Sequence, residues 1–263
     1  MRRNSSSTGG RSPMLSVAVA AGMALAALTS SALSSPALAQ SMGDLIGSAK
    51  KVAQAASVSD QQVVAMFSQM SDEMDRQNPV APARNPYAVR LARLTSGLST
   101  YDGLDLDIKA YLVKDVNAFA MGDGTVRVYA GLMDKFTDDE VRCVIGHEIG
   151  HVKLQHGQKR LKRALQQDAA LSVAGTASSG VRRVSSSELG GLIQNVLSAQ
   201  HSQAAETASD DYALNFMGAK GYPKPACPAA MDKLAAMGGG GGVSLLATHP
   251  DPARRAKRMR SKI

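Results

Sequence analysis

His147 and His151 stand four residues apart in the run Val144-Ile145-Gly146-His147-Glu148-Ile149-Gly150-His151, with Glu148 directly after the first. On a helix, four steps of about 100° bring the second imidazole to within about 40° of the first, one turn along. Two rings on one face can bind one Zn²⁺, and Glu148 is placed to act on water as a general base. A catalytic zinc takes three protein ligands and keeps one position open. The third ligand must therefore come from elsewhere in the chain. Glu206 is the best candidate, 55 residues after His151, in Glu206-Thr207-Ala208-Ser209-Asp210. Asp210 lies one turn on, where it can accept a hydrogen bond from the second ring nitrogen of a ligand histidine. Spacing alone also allows both acids to be surface residues. His249, in Thr248-His249-Pro250, could reach the metal or the substrate, or pack in a turn. His156 lies about 140° round from His151 on a continuous helix, so it reads as structural or solvent-facing. His201 reads as exposed.

These groups need a scaffold. Thr137-Asp138-Asp139-Glu140 is a capping box that starts the HExxH helix. Val141, Val144, Ile145 and Val152 give that helix a core face. Ser59 to Gln62 starts a helix running to about Arg76, and Asn78 to Pro82 breaks it. Asn85-Pro86 opens another, whose apolar stripe runs to Leu98. Residues 108–113 and 125–129 have strand character, with a turn at Gly122-Asp123-Gly124, and should pair in a small sheet. Asn117 to Ala120 sits between them. Residues 169–187 read as a small-residue connection. A long helix is expected from Glu188 to about Met217, closed by Gly218 and Gly221. A further helix runs to Met237 and a last one follows Pro252. Gly238 to Gly242 is a flexible tract.

The 263 residues suffice for one sizeable domain plus an extension. Residues 1–39 read as a signal peptide. Arg2, Arg3 and Arg11 precede an apolar run from Met14 to Leu28, and Ala37-Leu38-Ala39 is a cleavage signal. An uncleaved anchor is the alternative, but spanning needs about 20 apolar residues and this run is shorter. No cysteine follows the run, so lipid attachment there is excluded. Cleavage near Ala39 lowers the net charge from +8 to +5, 27 basic residues against 22 acidic. The basic excess gathers at Lys159, Arg160, Lys162 and Arg163, and from Arg254 to Lys262. It reads either as a solvated face or as peripheral contact with an anionic membrane. Nucleic acid is not expected as a partner, since no aromatics interleave the basic residues. Cys143 and Cys227 either pair or remain buried thiols.

HExxH, a later ExxxD, and THP with an arginine six residues after its histidine resemble the HtpX/Oma-type gluzincin peptidases, relatives of the CAAX prenyl protease. The resemblance extends to the bacterial LoiP and BepA type of envelope quality-control protease. The segments 114–121 and 128–133 are similar to that family's edge-strand region. The resemblance implies an α+β fold, mainly α: a compact gluzincin core with the HExxH helix, a second zinc-ligand helix and a small β-sheet. It divides the chain into a signal peptide (1–39), an N-terminal helical extension (40–84) and a zinc metallopeptidase domain (85–263). It implies one Zn²⁺ per chain on His147, His151 and Glu206, Glu148 as base, Asp210 in support and Arg255 as a partner beside His249. Asn117, Ala118, Phe119 and Ala120 would hold an extended substrate by strand addition. Gln203 stands where the family often has arginine, and Ala208-Ser209 where it often has an acid and alanine.

The function this implies is a zinc endopeptidase of the bacterial envelope, in the periplasm or secreted, acting on unfolded or misassembled proteins. A non-cleaving zinc-stabilised chaperone-like protein and a zinc amidase acting on cell-wall peptides are the alternatives. His201, Tyr212 and His249 are candidate oxyanion donors. His249, after five glycines, could instead occupy the fourth position at the metal and hold the enzyme latent.

Overall fold

A computed structural model of the chain describes residues 58–174, 191, 195, 198–238 and 242–263. The expected signal peptide, the lead-in up to residue 57 and residues 175–190 lie outside the described residues. Among the described residues, no helix is long and apolar enough to cross a membrane.

The first helix, α1 (Asp60–Gln77), starts at a complete capping box. The Gln62 amide donates to the Ser59 hydroxyl, and the Ser59 amide donates to the Gln62 side chain. Helix α2 (Pro86–Leu94) is capped by Asn85, with proline in its first turn. It stops at Leu94, earlier than the apolar stripe suggested, yet Leu98 is still buried. A two-stranded hairpin follows, β1 (Thr100–Tyr101) with β2 (Leu104–Asp105).

The main sheet holds β3 (Asp107–Tyr111), β4 (Ala118–Ala120) and β5 (Thr125–Tyr129), in the order β3-β5-β4. The two segments expected to pair do so, in parallel. Parallel pairing needs a crossover, and Asn117 to Ala120 is part of it, as an antiparallel strand on the other side of β5. The glycine turn therefore joins β4 to β5. Gly124 takes φ +95°, and a side chain there would run into the Asp105 carbonyl. Residues 79–81 cover the outer side of β3, with Ala81 N–H donating to the Ala110 carbonyl and Leu112 N–H to that of Pro79. This leaves β4 as the edge strand.

Every residue of β5 is buried, including Arg127. Its guanidinium binds both carboxylate oxygens of Asp75 at 2.8 Å and Asp107 Oδ2 at 2.8 Å. Because Asp75 lies on α1, this buried ion cluster ties α1 to the sheet. Val63, Phe67 and Met70 of α1 add apolar contact with Met121 and Leu161.

After α3 (Ala130–Lys135), the helix α4 (Asp138–Lys153) carries the HExxH run. Thr137 and Glu140 form the expected capping box. Helix α5 (His156–Ala174) extends into the stretch expected to be a connection. The long helix expected from Glu188 is broken. Ala199 to His201 are non-helical, Ser202 caps anew, and α6 (Gln203–Ala219) begins there. The cap hydroxyl accepts from Ala205 N–H, satisfying an amide that a continuous helix would have bonded internally. Then come α7 (Ala226–Met237), the short α8 (Leu245–Thr248) and α9 (Pro252–Arg260). Of the expected glycine tract, residues 239–241 lie outside the described residues.

Helix α4 packs along α6 at close range. A β-carbon at Gly146 would stand 2.6 Å from the Phe216 ring, and one at Gly150 would be 3.0 Å from Tyr212 Cβ and 3.2 Å from Ser209 Cα. The glycines are four apart, so they clear one stripe of α4 for α6. Cys143, one turn before His147, forms a disulfide with Cys227 of α7. The basic residues of α9 meet acids of the chain: Arg258 and Lys262 meet Asp211, Arg260 meets Asp232, and Arg254 meets Asp251.

Candidate metal centre

The α4 histidines face the same way, with ring centroids 4.7 Å apart and Nε2 atoms 3.0 Å apart. Close packing of α6 brings Glu206 across to them. Its Oε1 is 3.3 Å from His151 Nε2 and its Oε2 is 3.5 Å from His147 Nε2. A fourth donor comes from the turn after α8. His249 Nδ1 is 3.1 Å from Glu206 Oε1 and 3.4 Å from His147 Nε2. One ligand atom from each of the four residues lies within 4.8 Å of all the others, and all four residues are buried. Such convergence of nitrogen and oxygen donors could hold a metal ion.

A layer of charge supports this cluster. Asp210 Oδ1 lies 3.1 Å from His147 Nδ1, the nitrogen turned away from the other donors. Arg255 donates to both oxygens of Asp210, at 3.0 and 2.6 Å, and reaches Glu206 Oε2 at 2.6 Å. One buried guanidinium thus bridges and orients two buried carboxylates. Gln203, the departure noted above, accepts from Arg254 instead.

The electrostatics follow from burial and these contacts. Burial and the Arg255 charge push the His147 imidazole down, but Asp210 and Glu206 prevail and hold it up at about 9. Burial drives His151 well below the usual histidine value. For Glu206 burial acts upward, yet His249 and His147 keep it far below the carboxylate range. Glu148, also buried, is pushed up by desolvation, and its Oε1 has no hydrogen-bond partner.

Two histidines depart from expectation. His201 is half-buried beside the cluster, stacked on His249 with centroids 5.0 Å and planes 23° apart, and 3.9 Å from the His151 ring. Its backbone N–H donates to the Thr248 carbonyl, and Arg160 donates to its ring. No spacing rule could have found it, because it lies on the non-helical segment before α6. His156 does not continue the α4 helix. Gln155 takes the left-handed conformation, φ +57°, and the chain turns so that His156 opens α5 beside His151, Nδ1 to Nδ1 at 2.9 Å. Burial lowers the His156 imidazole to about 4. Tyr212 points elsewhere, its hydroxyl donating to Asp102 of the hairpin turn.

A cavity of about 270 Å³ opens beside the cluster. Glu148, His151, His201 and His249 form its polar end, Asn117, Phe119 and Ala120 of the edge strand region form one side, and Phe67 and Met74 of α1 form another.

A buried carboxylate, Glu148, next to a buried cluster of histidines and a glutamate, in a cleft bordered by an edge strand, is an arrangement that suits a metallopeptidase. Residues 90–263 match peptidase family M48, and the chain belongs to that family. Metalloprotease LoiP of Escherichia coli (strain K12) is 39% identical over 220 residues, 83% of this chain and 87% of the relative. Metalloprotease YcaL of the same organism is 33% identical over 219 residues, 83% and 86% of the two chains. Mitochondrial metalloendopeptidase OMA1 of Arabidopsis thaliana is more distant, 27% identical over 160 residues, 60% of this chain and 32% of the relative.

Proposed function

We propose that this metalloprotease is a zinc-dependent endopeptidase of the bacterial envelope that cuts unfolded or misassembled proteins. The observation that carries the reading is the buried donor cluster with Glu148 beside it, whose Oε1 accepts no hydrogen bond and lies 3.7 Å from His249 Nε2. Imidazole nitrogens with one carboxylate oxygen suit zinc, whereas calcium and magnesium sites are built from oxygen. His147, His151 and Glu206 would hold the ion. When bound, zinc supplies easier ionisation of water near neutral pH and stabilisation of negative charge on a carbonyl oxygen.

The chain's own residues do the rest. Glu148 takes the proton from the attacking water and passes it to the leaving amine. Its burial raises its proton affinity toward the working pH. Asp210 fixes the His147 ring through Nδ1, and Arg255 holds Asp210 and Glu206 in place. The β4 edge pairs with an extended substrate backbone, which favours unfolded chains. His201 and His249 are the oxyanion-donor candidates that face the cleft.

The test is cleavage of casein by the pure protein, with and without chelator, beside a peptidoglycan arm. We expect casein to be cut and the chelator to stop it. Glu148→Gln should abolish cleavage while one zinc stays bound. Residual cleavage by Glu148→Gln would refute the mechanism. Peptidoglycan release alone would favour the amidase, and casein binding without cleavage a chaperone. Export rests on the basic start, apolar run and AxA signal. Recovery of a mature chain beginning at Gln40 from the periplasmic fraction tests it.

His249 favours a second reading. Its place among the four donors suits a residue that closes the fourth position and holds the protease latent. His249→Ala should then raise basal proteolysis. Unchanged or lower activity would assign it a structural or catalytic role.

A further inference from the structure

His151 presents Nε2 to Glu206 and His147, and Nδ1 to the opposite side. A ring that binds a metal through Nε2 carries its proton on Nδ1. That N–H is buried, and a buried donor needs an acceptor. His147 solves the same problem with the Asp210 carboxylate. His151 meets His156 Nδ1 at 2.9 Å. Two ring nitrogens at this distance make a hydrogen bond only if one donates and the other accepts. With the proton on His151 Nδ1, His156 Nδ1 must accept and its own proton must sit on Nε2. Behind it, the buried Ser209 hydroxyl lies 3.4 Å from His156 Nδ1, on the face of α6 that packs against α4. The left-handed Gln155 is what turns the chain so that His156 can stand there.

We propose that His156 is a positioning residue of the metal centre: it accepts the Nδ1 proton of His151 and so sets that ligand's tautomer and ring angle. This rests on the reading of His147, His151 and Glu206 as zinc ligands. The two ligand histidines are then held differently, one by an anionic carboxylate and the other by a neutral imidazole.

The experiment compares the wild type, His156→Asn and His156→Leu as zinc-loaded full chains. Asparagine keeps an acceptor oxygen near the position of Nδ1, and leucine keeps only bulk. Zinc affinity is read by competition with a chromophoric chelator, and kcat and KM on a fluorogenic peptide. Losing such a partner weakens metal affinity by about 10–100-fold. His156→Leu should show that loss with lower kcat and little change in KM, and His156→Asn should recover most of it. Equal affinity in wild type and His156→Leu, or equal damage from both substitutions, would overturn the inference. If His156→Leu does not fold, imidazole nitrogen NMR of the zinc-loaded wild type decides, since His156 protonated on Nδ1 would overturn it. A wild type that binds no zinc, or a His147→Ala variant that still binds it tightly, would instead overturn the ligand assignment.

Discussion

Gly146→Ala is expected to harm catalysis far more than stability. The added β-carbon would stand 2.6 Å from Phe216 Cδ1, whereas carbon atoms rest at about 3.5–4.0 Å. About 1 Å must be found between α4 and α6. Phe216 is buried and packs edge-on against Tyr101, so it cannot swing away. Overpacking of this kind costs about 1–3 kcal/mol. Alanine returns about 1 kcal/mol of helix propensity. The net loss is then about 1 kcal/mol, a fall in Tm of about 2–4 °C. The same shift moves Glu206 and Asp210 on α6 away from His147 and His151 on α4. A misplacement of about 1 Å can cost about 100-fold in rate. The assay is kcat/KM on a casein peptide beside thermal melting and zinc content. Adding Phe216→Leu should restore much of the activity, because the smaller side chain opens the space. Wild-type kcat/KM in Gly146→Ala, at any Tm, would refute the argument that these two helices must touch through glycine.

Three further outcomes follow from the packing and the charges. Arg255→Ala removes the guanidinium that bridges the buried Glu206 and Asp210, so urea denaturation should show a loss of about 3–5 kcal/mol; a loss under about 1 kcal/mol would mean the network relaxes. The Cys143–Cys227 disulfide spans 84 residues, so replacing both with alanine should cost up to about 4.5 kcal/mol by loop-closure entropy. Unchanged melting of that double variant would show that the link adds nothing. Burial acts upward on Asp75, but hydrogen bonds from Arg127 and Tyr111 hold its carboxyl below the usual range. A depressed folded value stabilises above the unfolded value of about 3.9 and loses that contribution as pH falls through the folded value. Asp75→Asn should therefore be less stable at pH 7 but show a shallower loss below about pH 4, measured by circular dichroism; an unchanged acid limb would refute it.

The local features of this protein were legible because they depend on short stretches of chain. Two histidines at helical spacing share a face whatever surrounds them. The Thr137–Glu140 and Ser59–Gln62 capping boxes need only four residues each. His156 reads as structural or solvent-facing from its spacing and is structural in the fold, but the 140° offset holds only on a continuous helix, and one left-handed residue at Gln155 turns it back beside His151. The long helix through residue 201 was expected because nothing in the composition announces that Ser202 caps a new one.

The sequence by itself determined the two-histidine face, the base beside it, the start of the helix that carries them and the family resemblance. That resemblance also pointed to Glu206, His249 and Arg255, but only the tertiary structure decided how they meet that face and that His201 and His156 stand beside it. Glu206, His249, Arg255, His201 and His156 arrive from five different places in the chain. Their meeting depends on how closely α4 and α6 can pack and where turns redirect the backbone. Those are matters of shape and burial between distant residues, which no local pattern records.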